Sequence, residues 1–127
     1  MDKTAKVVNC INSIISLTSD ELSLFLSYIN TKVLKKNDYL LKEDQVSDFI
    51  AFVNSGVLIY TKTLDNADEV TTDFAFDEEW VTNNPSRLKK SPSILNIKAI
   101  EESELFYGRC TFYQKNEIVF SFFEYSL

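Results

Sequence analysis

The chain contains no histidine. That absence removes three-histidine and two-histidine–carboxylate metal sites, and with them every imidazole general base, so cupin-type metal chemistry on a β-barrel is excluded. Cysteine is almost as scarce: Cys10 and Cys110 lie far apart and neither has a CxxC partner. Both are read as free thiols, because the cytoplasmic setting expected below disfavours a disulfide. No apolar run approaches the ~20 residues needed to span a bilayer. The N-terminus MDKTAKVVNCINSIISL lacks a continuous apolar stretch and a small-residue cleavage site, so it is no secretion signal and a cytoplasmic location is expected. Basic residues are few and scattered, 13 against 19 acidic for a net charge of -6. The pairs Lys35-Lys36 and Lys89-Lys90 read as solvated turn lysines. Gripping phosphates takes clustered Lys and Arg, so direct nucleic-acid binding by this chain is not expected.

What is present is a globular composition, 45% apolar and 13% aromatic over 127 residues, with no low-complexity tract. This predicts a single domain, 1–127, with a real core. Residues 4–16 can form a helix with Val8, Ile11 and Ile15 on one face. Thr18-Ser19-Asp20-Glu21 matches a capping box, and Leu22, Phe25, Leu26 and Ile29 follow at helical spacing, predicting a helix over 19–30. Then the period changes. Strands are predicted at 32–35, 38–42, 49–54, 57–63, 69–76, 79–82, 94–101 and 104–108, separated by turn signals such as Asn54-Ser55-Gly56 and Asp65-Asn66-Ala67-Asp68. Val70, Thr72, Phe74 and Phe76 alternate as in a half-buried strand. Phe52, Val53, Leu58, Tyr60, Phe74, Ile97 and Leu105 are expected in or beside the core. Short strands at this spacing, flanked by helices at both ends, predict an α+β fold built on an antiparallel jelly roll, a double-stranded β-helix. The segment from Asn83 to Pro92 is polar, basic and proline-bounded, a loop or a short helical turn.

The order of these pieces also resembles a known family. A lysine-rich turn, YLLKE, an acidic turn and FIAFVNSG are consecutive barrel strands in the cyclic-nucleotide-binding domain of Crp/Fnr-type transcription regulators. The resemblance runs from about Thr18 to Tyr125 and is nearest to the Bacteroidetes-type branch, through FVNSGVLIY, EVTTDFAF, WV and PSILNIKAIEESEL. It implies a cyclic-nucleotide-binding-domain-like sensor. In that family the ligand is held by a phosphate-binding cassette close to Phe-x-Gly-Glu, a short helix, then Arg-Ser/Thr-Ala. The corresponding run here is Trp80-Val81-Thr82-Asn83-Asn84-Pro85, with Ser93-Ile94 at the later position. Thr82 stands where the Gly would be, Asn83 where the Glu would be, and Ser93 where the Arg would be. Losing the guanidinium removes the charge that compensates a buried phosphate. Arg87, close by, is the candidate to replace it, although a solvated loop arginine fits the sequence as well. The ligand-site candidates are therefore Trp80, Thr82, Asn83, Arg87, Ser93 and Ile94, and cyclic AMP is not the expected ligand.

Carboxylates offer one remaining route to chemistry, at Asp73, Asp77, Glu78 and Glu79, but a solvated acidic turn accounts for that cluster without catalysis or Ca²⁺. No enzyme activity, cofactor or metal site is expected. The tail from Thr111 to Leu127 is apolar at helical spacing, with Ile118, Phe122 and Tyr125 on one stripe. Such a surface must be covered, by the domain's own core or by a partner, and a homodimer through this helix is the expectation. The resemblance implies that a helix-turn-helix domain would follow; none lies in this chain, which is then the sensor part of a longer regulator or an orphan domain. Two functions stay open. One is effector sensing and dimerisation for a Crp/Fnr-like regulator with an unknown small-molecule effector. The other is an orphan β-roll that docks proteins without a ligand.

Overall fold

A computed structural model of the chain describes residues 3–14 and 16–109. Two helices, α1 (Ala5–Ile14) and α2 (Ser19–Tyr28), precede strands β1 (Asn30–Leu34), β2 (Tyr39–Leu41), β3 (Phe49–Ser55), β4 (Leu58–Thr63), β5 (Glu69–Ala75) and β6 (Trp80–Val81). A short helix α3 (Asn84–Lys89) then leads to β7 (Asn96–Ala99) and β8 (Ser103–Arg109). The strands form two four-stranded sheets, β1-β8-β3-β6 and β2-β7-β4-β5, antiparallel throughout. This is the antiparallel jelly roll that the strand spacing predicted. The expected C-terminal helix, with Ile118, Phe122 and Tyr125, lies outside the described residues. Among the described residues no helix is long and apolar enough to cross a membrane.

The capping box forms in both directions. Glu21 N–H donates to Thr18 Oγ1 at 3.1 Å, and Thr18 N–H donates to Glu21 Oε1 at 2.8 Å. Two orphan amides are thereby satisfied where α2 begins. The helix ends sooner than its apolar spacing suggested: Ile29 is already extended and β1 starts at Asn30. In α1 the buried pair is Val7 and Ile11, with Val8 at its flank; Ile15, expected on the same stripe, lies outside the described residues. An i, i+4 pair is what the helix needs to lie across Phe52 and Phe106 of the first sheet.

Two apolar layers result. Between the sheets lie Leu34, Leu41, Phe49, Ala51, Val53, Leu58, Ala75, Val81, Ile97, Ala99 and Leu105. Behind the first sheet, Ile50, Phe52 and Phe106 meet Val7, Ile11 and Phe25 of the helices. β3 alternates between these layers, which is why its sequence FIAFV is apolar without interruption.

β5 departs from expectation. Phe74, expected in or beside the core, is 48% exposed and Phe76 is 51% exposed, while Ala75 is buried. Register with β4 decides the matter: Leu58 opposes Ala75 on the inner face, so Ile59 and Phe74 oppose each other on the outer one. A bulge then leaves Thr72 without a partner residue between the pairs Tyr60–Asp73 and Thr61–Thr71. The slip reverses faces along the strand, so the alternating set Val70, Thr72, Phe74, Phe76 is never buried as one.

The turn after β3 needs its glycine. Gly56 has φ 118°, and a Cβ there would collide with Ser103. The acidic turn holds the same corner. Asp77 Oδ1 accepts from Gly56 N–H at 2.8 Å and Asp77 Oδ2 lies 3.7 Å from Lys6 Nζ. Glu79 Oε1 accepts from Phe76 N–H at 3.1 Å.

Candidate ligand cavity

A cavity of about 550 Å³ opens where the end of β6, α3 and the segment before β7 face the inner side of the β4–β5 pair. β4 and β5 contribute Tyr60, Thr72 and Asp73, and the end of β6 gives Thr82 and Asn83. From α3 come Pro85, Ser86 and Lys89, and from the chain after it Ser91, Pro92, Ile94 and Leu95. The size is within the range of small-molecule sites, and an apolar lip with a few convergent polar groups is their usual chemistry.

Local sequence explains the frame. Asn83 is the N-cap of α3, its Oδ1 accepting from Ser86 N–H at 3.3 Å, and Pro85 occupies the first turn where its missing N–H costs nothing. Lys90 ends the helix in the left-handed conformation, φ 54°, and its N–H bonds Ser86 O. Behind this helix the polar groups satisfy one another. Asn83 Nδ2 donates to Ser93 Oγ at 2.7 Å, and Ser93 Oγ donates to Leu95 O at 2.7 Å. Ser47 N–H donates to Ser86 Oγ at 2.8 Å, and Thr82 Oγ1 donates to Phe49 O at 2.8 Å. Asn83, Ser86 and Ser93 are all buried, so these bonds are needed to offset desolvation.

Among the described residues, the charged groups lining the cavity are Asp73 and Lys89, one of each sign, on β5 and α3. Tyr60 stands beside Asp73 in the β4–β5 register. Burial pushes its hydroxyl up to about 12; a backbone hydrogen bond from Thr82 opposes this, and the Asp73 and Glu79 carboxylates add to it. Tyr60 is therefore a neutral hydroxyl at any physiological pH.

Among the residues singled out from sequence, Thr82, Asn83 and Ile94 line the cavity. Ser93 lies just behind it, bonded to Asn83. Arg87 is in α3, yet the α3 side chains at the cavity are Pro85, Ser86 and Lys89. Trp80 is elsewhere. Val81 faces the sandwich core, so its neighbour Trp80 turns to the helix side, edge-on to Phe52 at 5.0 Å, with Nε1–H donating to Cys10 Sγ at 3.4 Å. Sequence reasoning missed Tyr60, Thr72, Asp73, Ser86, Lys89, Ser91 and Leu95. The bulge that turns Thr72 and Asp73 toward the cavity leaves no mark in the strand pattern. Lys89 did carry a signal, as a cation inside the proline-bounded segment, but it was read as solvated. Among the described residues no group of three or more Cys, Asp or Glu side chains is arranged to hold a metal ion.

No protein-family model and no curated protein matches the sequence. Solved structures do match the fold. A cAMP-bound PfPKA-R superposes with a TM-score of 0.76 at 15% identity, covering 89% of this chain and 41% of its own. A cyclic nucleotide-binding domain from Methylobacillus flagellatus KT gives 0.74 at 14% identity, over 87% of this chain and 63% of its own. The Thermus thermophilus catabolite activator protein gives 0.67 at 20% identity, over 79% and 46%. The chain thus spans less than two thirds of each of these proteins. Its two antiparallel sheets, with the short helix between β6 and β7, have the jelly-roll fold of cyclic-nucleotide-binding domains.

Proposed function

We propose that the chain is a non-catalytic, effector-sensing and dimerisation domain of a Crp/Fnr-like transcription regulator of the Bacteroidetes-like branch, and that its effector is not a cyclic nucleotide. The reading rests on the bond between Asn83 and Ser93. These side chains stand where the resembled cassette has its ribose-binding carboxylate and phosphate-binding guanidinium, and here they are uncharged and bonded to each other. Freeing them for a ligand would cost a buried hydrogen bond and supply no charge to a phosphate. Among the described residues lining the cavity, Lys89 is the cation and the Asp73 carboxylate shares the same space, so these residues give it no net positive charge. Among the described lining residues, a cyclic phosphate would meet Asp73 with no guanidinium to offset it. A small effector of low net charge, with hydroxyl or amide groups for Tyr60, Thr72 and Ser91, suits the lining better.

Isothermal calorimetry with cyclic AMP and cyclic GMP tests this. No heat of binding is expected up to about 100 μM ligand, weaker than roughly -5.5 kcal/mol. Micromolar affinity would overturn the reading, and Arg87→Ala and Lys89→Ala would then show which cation holds the phosphate. Dimerisation is assigned to the apolar stripe of Ile118, Phe122 and Tyr125. Sedimentation of the full chain at tens of micromolar should give a dimer, and a monomer at that concentration removes this part of the proposal.

A further inference from the structure

The outer face of the second sheet carries an apolar patch that the sensor reading leaves without a role. In register, Ile59 opposes Phe74, and Phe76 stacks on Phe74 with ring centroids 5.9 Å apart and planes within 11°. Ile100 is joined to the start of β4 by its N–H bond to Val57 O at 3.1 Å, which extends the patch by one row. Phe74, Phe76 and Ile100 are 48%, 51% and 38% exposed. Stacked, half-exposed aromatics at the edge strand of a sheet are costly to leave in water, and contiguous patches of this kind mark contact sites.

Charge says what fits. Phe76 runs directly into Asp77-Glu78-Glu79, and Ile100 into Glu101-Glu102, and both runs meet at the Gly56 corner, so that end of the patch is rimmed by carboxylates. Asp77 and Glu79 are engaged at the Gly56 corner and the Phe76 amide. Glu78, Glu101 and Glu102 are exposed. A second copy brings the same carboxylates and the same net charge of -6 to the contact, which opposes self-association. An anionic membrane surface is repelled for the same reason.

We propose that this face docks a segment of another protein in which apolar side chains are flanked by Lys or Arg. The apolar residues cover Phe74, Phe76 and Ile100, and the cations meet Glu78, Glu101 and Glu102. Burial supplies the affinity, and the charges set the orientation and the rate of encounter.

A fluorescein-labelled peptide of roughly twelve alternating Leu and Lys residues, titrated with the full chain and followed by anisotropy, tests the face. Its Leu/Glu counterpart serves as the control. The Lys peptide should bind at least about tenfold more tightly than the Glu peptide, and weaken as salt rises from about 50 to 200 mM. Phe74→Ser combined with Phe76→Ser should weaken binding by about tenfold or more, a loss expected of core anchors at an interface. Leu88→Ser, which alters an exposed apolar residue on α3, should leave binding unchanged. If the double variant is not folded by circular dichroism, Glu78→Lys with Glu101→Lys and Glu102→Lys replaces it, and should abolish the preference for the Lys peptide. Three results overturn the proposal. The first is wild-type binding by the folded variants, which is attraction to the net charge alone. The second is loss of a dimer of the chain in the double variant, which makes a second copy the occupant. The third is displacement of the Lys peptide by a peptide of residues 110–127, which assigns the face to this chain's own tail.

Discussion

In the first sheet β3 is buried on both faces, with Phe49, Ala51 and Val53 between the sheets and Ile50 and Phe52 under the helices. In the second sheet β5 buries Ala75 alone, and its outer face keeps Phe74 and Phe76 half in water. The two sheets share one core and differ in their second layer. Helices supply that layer for the first sheet, through Val7, Ile11 and Phe25. Among the described residues no helix covers the second sheet, where Tyr39, Lys98, Ile59 and Phe74 form a row across the four strands with Ile59 buried and Phe74 half-exposed. Stability is therefore concentrated on the helix side, and the face left for recognition is on the other.

The largest test of this asymmetry is a matched pair of truncations. Phe52 is fully buried and contacts Trp80 edge-on, so Phe52→Ala should cost about 3–5 kcal/mol in urea unfolding. Phe74→Ala removes the same atoms from a half-exposed site and should cost about 1 kcal/mol or less. Comparable losses at both positions would mean that the outer face is covered in solution, and the contrast between the sheets would fail.

Much of this was legible from residue order, and the failures have a common cause. The capping box fixed the start of α2, and the turn signals bounded eight strands, because the Thr18–Glu21 pair and the positive φ of Gly56 are set by neighbouring residues. The continuous FIAFV run of β3 marked a strand, and the helices that cover its second face became visible only in the structure. β5 did not announce which face would be covered. Its period was right, but choosing between Ala75 and Phe74 requires the register with β4, and the Thr72 bulge is a property of that pairing. The cavity was partly legible for the same reason. Thr82, Asn83 and Ile94 follow from the order of segments, while Tyr60 and Asp73 arrive by pairing between strands. Trp80, expected at the site, was lost to alternation across a two-residue strand.

Titration separates the two faces of the second sheet, and the larger effect is on the inside. Tyr60 has its folded value raised from 10.0 to about 12, chiefly by burial. A raised value means that the stabilisation of the neutral hydroxyl is complete below pH 10 and is lost as pH rises toward 12. A difference of about two units corresponds to roughly 2–3 kcal/mol. Tyr60→Phe should therefore flatten this alkaline decline relative to wild type, as read from urea midpoints between pH 9 and 12. On the outside, the Glu69 carboxyl is held below its ordinary 4.5 by hydrogen bonds from Lys98 Nζ and the Tyr39 hydroxyl, both at 2.9 Å. A lowered value has the opposite sign: this stabilisation is present above pH 4.5 and fades as pH falls below it. Glu69 is exposed and well screened, so the contribution is about 0.2–1 kcal/mol. Glu69→Gln should flatten the acid limb by no more than that, and it should also soften the alkaline limb, because the same carboxylate holds Tyr39 and Lys98 above their ordinary values. A larger acid effect would place Glu69 out of water, beneath something bound to the open face.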